Sequence, residues 1–325
     1  MQPSRPPLIY WVRTFFSVLG CSVLFLAGRA QGPQQLVSVP VGNGITVNGW
    51  LYLPADYQSS TKQYPVVLFY HGAGEAGTNP YLMFNNGIPQ LISQGMRPDN
   101  ILNPVDGQRY SFIVLSLQHW SWSPDPEWLP LQVSWLKQRY RIDTSRIYLT
   151  GLSAGGQEAF KSIVTSASLS KLVAAAAPMS PPAMGNYDMS LVRIYRIKTW
   201  FFSGNSDPLT PTVQHYYAQC DSASPGSSRM YVYSGGHCCW NTCYNISWRE
   251  PLSGLSLWQW FLAFRKEAPL FLKFTDFKVT DLGNKIIRID FSCENPNGNE
   301  NFFIRIKVNG IIRKVEVSYL DRIGT

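Results

Sequence analysis

The stretch from Arg146 to Gly156 constrains the chain most, because it reads as a strand, a tight turn and a helix in eleven residues. Ile147 to Leu149 is a short apolar run with sharp bounds, the pattern of a buried strand. Gly151-Leu152-Ser153-Ala154-Gly155 then turns the chain, and a helical pattern follows through Gln157, Ala159, Phe160 and Ile163. A serine placed on such a turn stands clear of its surroundings, but only if the strand and helix approach closely. Gly151 and Gly155 permit that approach because they carry no Cβ and take dihedrals that other residues avoid. The helix N-terminus leaves free N–H groups pointing at the serine, where a negative oxygen would form. Strand, Gly-x-Ser-x-Gly and helix in this order form a nucleophile elbow.

The rest of residues 36–264 alternates strands with helices. A hairpin opens the region, from Leu36 to Val39, through a Gly42-Asn43-Gly44 turn, into Ile45 to Leu53. Pro65 to Tyr70 is apolar on both faces, as a central parallel strand requires, and it runs into His71-Gly72-Ala73-Gly74-Glu75. A helix is expected over 80–94, with Leu82, Ile88 and Leu91 inward. Phe112 to Leu115 is the next strand, followed by a loop carrying His119, Trp120, Trp122 and Trp128. Trp128 to Tyr140 reads as an amphipathic helix with Leu131, Trp135 and Leu136 on one side. After the elbow come strands at Leu172–Ala177, Thr199–Phe202 and Met230–Tyr233, then an apolar helix over Leu255–Phe264. The alternation predicts an α/β fold, a doubly wound and mostly parallel sheet covered on both faces. Functional residues then belong at the carboxyl ends of the strands, where His71, Ser153, Asp207 and His237 all fall.

The run Ile147 to Gly156, preceded by Tyr140-Arg141-Ile142-Asp143-Thr144-Ser145-Arg146, resembles the α/β-hydrolase superfamily. Within it the chain is similar to secreted carboxylesterases of the polyhydroxybutyrate-depolymerase and feruloyl-esterase kind, and to the phospholipase/carboxylesterase-like group. Members of that group often carry Met where Ala154 stands. The oxyanion contact uses a backbone N–H, so this departure leaves it intact and widens the acyl pocket. The resemblance implies a serine nucleophile, an acid and a histidine in that chain order.

A serine hydroxyl needs a base to take its proton, and histidine has the side chain suited to it near neutrality. Of four histidines, only His215 and His237 follow Ser153 with an acid between. His237 ends a strand in a Gly-Gly-His turn, whereas His215 falls on a helix as a surface residue. Asp207, at the end of its strand in Ser-Gly-Asn-Ser-Asp-Pro, is the expected orienting acid, and it also suits the start of the helix near Thr210. Asp221 is the alternative acid, without strand support. The oxyanion donors are expected to be the N–H of Ala154 and that of Ala73, with His71 shaping the second loop.

The two ends differ from the middle. Arg5 and Arg13 precede an apolar run from Phe15 to Ala27, and small residues follow at Gly28 and Ala30. This is the order of a secretory signal peptide cut after Ala30, and it predicts a secreted or periplasmic protein with no stable membrane insertion after cleavage. Removing its three arginines from the net charge of +8 leaves +5. The remaining basic residues are interleaved with acids, and no run forms a nucleic-acid patch. Beyond about Ala268, Lys285 to Phe291 and Phe302 to Val308 alternate with period two, and Asn309-Gly310 signals a hairpin into Ile311 to Val317. Residues 268–325 therefore read as an all-β segment resembling part of a fibronectin-III-like sandwich, after a catalytic domain over 31–267.

The mature chain would keep Cys220, Cys238, Cys239, Cys243 and Cys293. Five is odd, so at least one is free or bridges chains. Adjacent Cys238 and Cys239 are poor partners for each other on geometric grounds, and Cys220 or Cys243 is the more natural partner for one of them. A zinc site from His237, Cys238, Cys239 and Cys243 is a sharper alternative, with crowded spacing. The sequence as a whole reads as a serine carboxylesterase that needs no metal or organic cofactor and acts on a small or polymeric ester. A serine peptidase on the same fold and a non-catalytic binding protein are the rivals. Trp120, Trp122 and Trp240 offer flat apolar faces near the strand ends and predict a bulky substrate, aromatic or saccharide-linked; packing beneath the loops would explain them equally.

Overall fold

The structure, a computed structural model, describes residues 33–121, 125–185 and 187–267, and the backbone of four strands beyond them. The expected signal peptide, Trp122 and the Asn309-Gly310 turn lie outside the described residues.

The chain opens with the expected hairpin, β1 (Gln34–Gly42) and β2 (Ile45–Tyr52). Gly42, Asn43 and Gly44 all have positive φ at its turn. β3 (Tyr64–Tyr70) is buried along its whole length. Its side chains divide with period two: Val66, Leu68 and Tyr70 enter one core, while Val67 and Phe69 enter the other. The expected single helix over 80–94 is broken. A 3₁₀ turn over Pro80–Asn85 gives way at Asn86 to α1 (Gly87–Ser93). Gly87 takes φ +70° and a side chain there would strike the Phe69 ring, so the break follows from packing on β3. Met83 fills the core position expected for Leu82, which is half-buried.

A short ribbon, β4 (Ile101–Leu102) and β5 (Arg109–Tyr110), precedes β6 (Ile113–Leu117). Then come α2 (Trp128–Arg139), β7 (Ile142–Leu152) and α3 (Ala154–Val164). α2 spans the expected residues but buries Leu129, Val133, Trp135 and Leu136, leaving Leu131 exposed. The remainder is α4 (Ala167–Ser170), β8 (Ala175–Met179), α5 (Ser190–Ile194), β9 (Lys198–Gly204), α6 (Thr210–Ala223), β10 (Ser228–Tyr233), α7 (Trp240–Tyr244) and α8 (Leu257–Leu262).

Eight strands form one sheet in the order β1-β2-β6-β3-β7-β8-β9-β10. β1, β2 and β6 pair antiparallel in turn, and every other neighbour is parallel. Side chains of α2, α3 and α6 pack on one face, and those of α1, α7 and α8 on the other. This is the doubly wound, mostly parallel α/β-hydrolase architecture. β6 and β7 flank β3 on opposite sides, so the winding reverses there, and such a switch point opens a crevice at the carboxyl ends of the strands. The loops after β3, β6 and β7 meet at that place. Among the described residues no helix is long and apolar enough to cross a membrane.

Beyond residue 272 the described backbone is strand. β11 (Lys273–Asp281) pairs antiparallel with β12 (Ile287–Glu294), and β13 (Phe302–Val308) with β14 (Ile311–Val317). The register of the second pair sets Val308 opposite Ile311, as a two-residue connection demands.

Candidate active site

The site begins with backbone geometry at Ser153, which carries φ +53° and ψ −119° between β7 and α3. A non-glycine residue pays for such dihedrals, and the surroundings must hold it there. They do so at close range. A Cβ on Gly155 would fall on the carbonyl oxygens of Tyr70 and His71, and one on Gly151 would fall on the backbone of Gly155. Gly156 plays the same part against the Met179 carbonyl of β8. The Ser153 N–H donates to that carbonyl at 2.9 Å, fixing the turn from the other side.

His237 reaches this turn from the loop after β10. Its Nε2 lies 2.9 Å from Ser153 Oγ, and its Nδ1 lies 2.9 Å from Asp207 Oδ2. A carboxylate only accepts, so the ring carries its proton on Nδ1 and offers Nε2 to the serine hydroxyl. The loops after β9 and β10 are laced together to make this possible. Asn205 N–H donates to the Tyr233 carbonyl at 2.8 Å, and Ser206 N–H to the Gly235 carbonyl at 2.9 Å. A side chain at Gly204 would strike the carbonyls of Gly235 and Gly236.

Asp207 is buried, at 3% exposure, while the His237 side chain is 34% exposed and Ser153 is half-buried. Asp207 divides its two oxygens: Oδ2 takes His237, and Oδ1 accepts the Leu209 N–H at 2.8 Å just ahead of α6. The helix-start role and the imidazole-orienting role therefore coexist. Burial raises the pKa of this carboxyl, but the Leu209 N–H, the Ser180 hydroxyl and His237 outweigh it and hold the group below its ordinary value. Ser180 is a residue that sequence reasoning missed. It is fully buried at the end of β8, has φ +46°, and its hydroxyl also accepts the Trp240 indole N–H at 3.2 Å.

The other candidates are placed as follows. Ala154 is the first residue of α3, so its N–H has no intrahelical partner. Ala73 opens a 3₁₀ turn over Ala73–Glu75 and is exposed. Gly72, just before it, packs so closely on Leu152 that a Cβ would meet that side chain, which brings the loop against the elbow. Asp221 lies in α6 and accepts the Gly226 N–H at 2.9 Å, capping the following turn rather than serving a histidine. His215 is exposed on α6. Trp120 is 49% exposed and lines an open cavity of about 580 Å³ with Ile45, Trp128 and Leu131. Trp240 differs from expectation: at 5% exposure it is buried, with its ring edge-on to His237 at 5.1 Å, so it backs the base and does not face the opening.

Two further groups were not legible as a site. Cys238 and Cys239 form a disulfide with each other, contrary to the geometric expectation. Cys239 accommodates it by adopting φ +69°, the left-handed region, at the start of α7. Cys220 and Cys243 are buried and free, and burial pushes both thiols up to about 12. Among the described residues no group of three or more His, Cys, Asp or Glu is gathered as a metal site.

The second group is a line of buried histidines. His71 is 5% exposed; its Nδ1 donates to the Gly72 carbonyl at 2.7 Å and its Nε2 accepts the His119 N–H at 2.8 Å. Both ring nitrogens are thus committed in the neutral form, and burial lowers the group from 6.5 to about 4. His119 stacks on Trp128 with ring centres 4.2 Å apart and sets Nε2 3.2 Å from Glu158 Oε2 on α3.

No family model and no curated protein matches the chain. Solved structures similar to it include a thermostable esterase, 24% identical over 70% of this chain and 59% of its own, with a TM-score of 0.46. This chain therefore spans less than two thirds of that esterase. Esterase 2 of Thermogutta terrifontis is 14% identical over 71% of this chain and 91% of its own, TM-score 0.46. The feruloyl esterase module of Clostridium thermocellum is 14% identical over 63% and 83%, TM-score 0.47.

Proposed function

We propose that the protein is a secreted serine hydrolase of carboxylic esters, with Ser153 as nucleophile, His237 as general base and acid, and Asp207 as the acid that orients it. The observation that carries this reading is the unbroken line from Ser153 Oγ through both nitrogens of His237 to the buried Asp207. Ser153 Oγ attacks the ester carbonyl while Nε2 takes its proton. The tetrahedral oxyanion is met by the N–H groups of Ala154 and Ala73. Nε2 then returns the proton to the departing alcohol, leaving an acyl group on Ser153. Water, deprotonated by the same nitrogen, releases the acid and restores the serine. Asp207 stays ionised throughout, which its depressed pKa favours.

The reading of the substrate as a bulky, aromatic or saccharide-linked ester rests on Trp120, whose exposed ring sits in the loop after β6. A fluorophosphonate probe should label Ser153, and a panel of nitrophenyl esters and anilides separates esterase from peptidase. Within that panel, Trp120→Ala should lower kcat/KM for a feruloyl or cinnamoyl ester by about 10- to 200-fold and leave an acetyl ester unchanged. No labelling and no turnover of any member would remove the hydrolase reading. Equal losses on both esters would mean that Trp120 holds the loop and does not read the substrate.

A further inference from the structure

The histidine line joins the two halves of the oxyanion hole. Ala154 opens α3, and Glu158 lies four residues further along the same helix at 2% exposure. Glu158 Oε2 faces His119 Nε2 at 3.2 Å, from α3 into the loop after β6. The His119 N–H is bonded to His71 Nε2 at 2.8 Å, and His71 Nδ1 to the Gly72 carbonyl at 2.7 Å, one peptide bond from the Ala73 N–H. The helix that presents one donor is therefore connected to the peptide that presents the other by three buried side chains. We propose that Glu158, His119 and His71 act as a positioning relay that sets the separation of the Ala154 and Ala73 N–H groups. The inference rests on the hydrolase reading.

Bulk packing does not account for this arrangement. A buried ion pair costs much of its attraction in desolvation, and an apolar pair of the same volume would hold the fold as well. The surroundings are polar beyond the pair. Tyr70 donates its hydroxyl to Gln132 Oε1 at 3.2 Å; Glu158 Oε1 and Gln132 Nε2 have no hydrogen-bond partner among the described residues, and His119 Nε2 meets Glu158 as an ion pair at 3.2 Å without hydrogen-bond alignment. The groups facing the pair are Tyr70, His71, Asp125 and Lys161. Burial works against a charge on His119, but attraction to Glu158 raises it above its ordinary value, with Asp125 adding to the effect. The same loop is held at two more points: Gly77 N–H donates to the His119 carbonyl at 2.9 Å and Gln118 Nε2 to the Glu75 carbonyl at 2.8 Å. The backbone around His119 is thus a rigid strut, and its imidazole sets the distance from the strut to α3.

The test uses Glu158→Gln, His119→Gln and the double variant in the full chain. Active sites are titrated with a fluorophosphonate, so kcat is read per competent molecule and loss of folded protein does not count. An alkyl trifluoromethyl ketone supplies the second readout, since Ser153 adds to its carbonyl and leaves an oxyanion in the hole. Each single variant should lower kcat about tenfold to a hundredfold, as expected when oxyanion donors are misplaced. KM should stay unchanged, and ketone inhibition should weaken by the same factor as kcat. The double variant should lose no more than either single one, because the two side chains act as a unit. Unchanged kcat per titrated site, or a loss in kcat without weaker ketone inhibition, overturns the relay. A further readout needs no turnover: ¹⁵N-histidine spectra should show His71 neutral with its proton on Nδ1, and Glu158→Gln should shift those signals. A His71 signal indifferent to position 158 also overturns the relay. If the wild type itself neither labels nor turns over esters, the hydrolase reading fails, and that result is visible before any variant is made.

Discussion

Ser153 and Asp207 stand on opposite sides of one imidazole, and neither is useful without it. Ser153→Ala and His237→Ala should each fold normally and lose about 10⁴–10⁶ in kcat, since triad members act as a unit. Asp207→Ala should cost less, because it orients the ring and does not react, while Asp221→Ala should leave kcat unchanged, its carboxylate only capping a turn. Steady-state kinetics on a nitrophenyl ester checks all four; damage at Asp221 rather than Asp207 would move the acid. His71 makes a prediction in pH. Its folded value of about 4 lies below the ordinary 6.5, so between those values the unfolded chain binds the extra proton and the folded chain does not. Stability therefore falls as pH drops through this window and is retained above it, by about 3 kcal/mol in all. His119 acts in the opposite sense, since its raised value adds stability that fades as pH rises. Urea unfolding of wild type and His71→Gln at pH 4 to 7 isolates the first contribution: the difference in stability between the two should grow toward neutral pH. A constant difference would mean that His71 titrates alike in both states.

At the scale of elements, the periodicity of the sequence carried the sheet and the elbow, and local turns carried less. β3, β9 and the second half of β7 were legible because buried strands are short apolar runs, and β10, though half-buried, was legible from its Met230–Tyr233 run; each ends near a functional candidate. The break at Gly87 was not, because it arises from contact with Phe69, a residue on another element. Glu158 was hidden for a related reason. It lies on the apolar side of α3 beside Ala159 and Phe160, and only the fold brings His119 to meet it. Trp240 was read as facing the cleft since nothing local to a loop tryptophan says which way the following turn rotates. That turn depends on Cys238 and Cys239. Position puts their bridge between the base and α7, whose Trp240 supports the base and whose Asn241 accepts the Gly87 N–H at 2.7 Å. Alkylation of the denatured, unreduced protein followed by peptide mapping should therefore mark Cys220 and Cys243 and spare Cys238 and Cys239 until a reductant is added. Labelling of all four before reduction would show that the bridge does not form.

At the scale of the whole molecule, the proposed catalytic face is assembled from loops that follow β3, β6, β7, β9 and β10 of a single sheet. Among the described residues, both apolar clusters that cover the sheet are drawn from residues between Val37 and Phe264. The last side-chain contacts described, from Arg265 to Ser145 and from Arg196 to Glu267, close that stretch on itself. Four strands spread over fewer than sixty residues are small for a unit that folds alone, whereas residues 33–267 hold both faces of the core described above, and the proposed boundary near residue 267 rests on that difference. The two parts should then separate without loss to the chemistry. A chain spanning residues 31–267 should unfold in one cooperative step and keep kcat/KM on a small soluble ester within about twofold of the full chain, since every group in the proposed mechanism and its supports lies inside it. The comparison needs melting curves and rates on the soluble ester. A truncated chain that melts well below the full one, or loses activity on the soluble ester, would mean that the C-terminal strands complete the catalytic domain and that the boundary near residue 267 is misplaced.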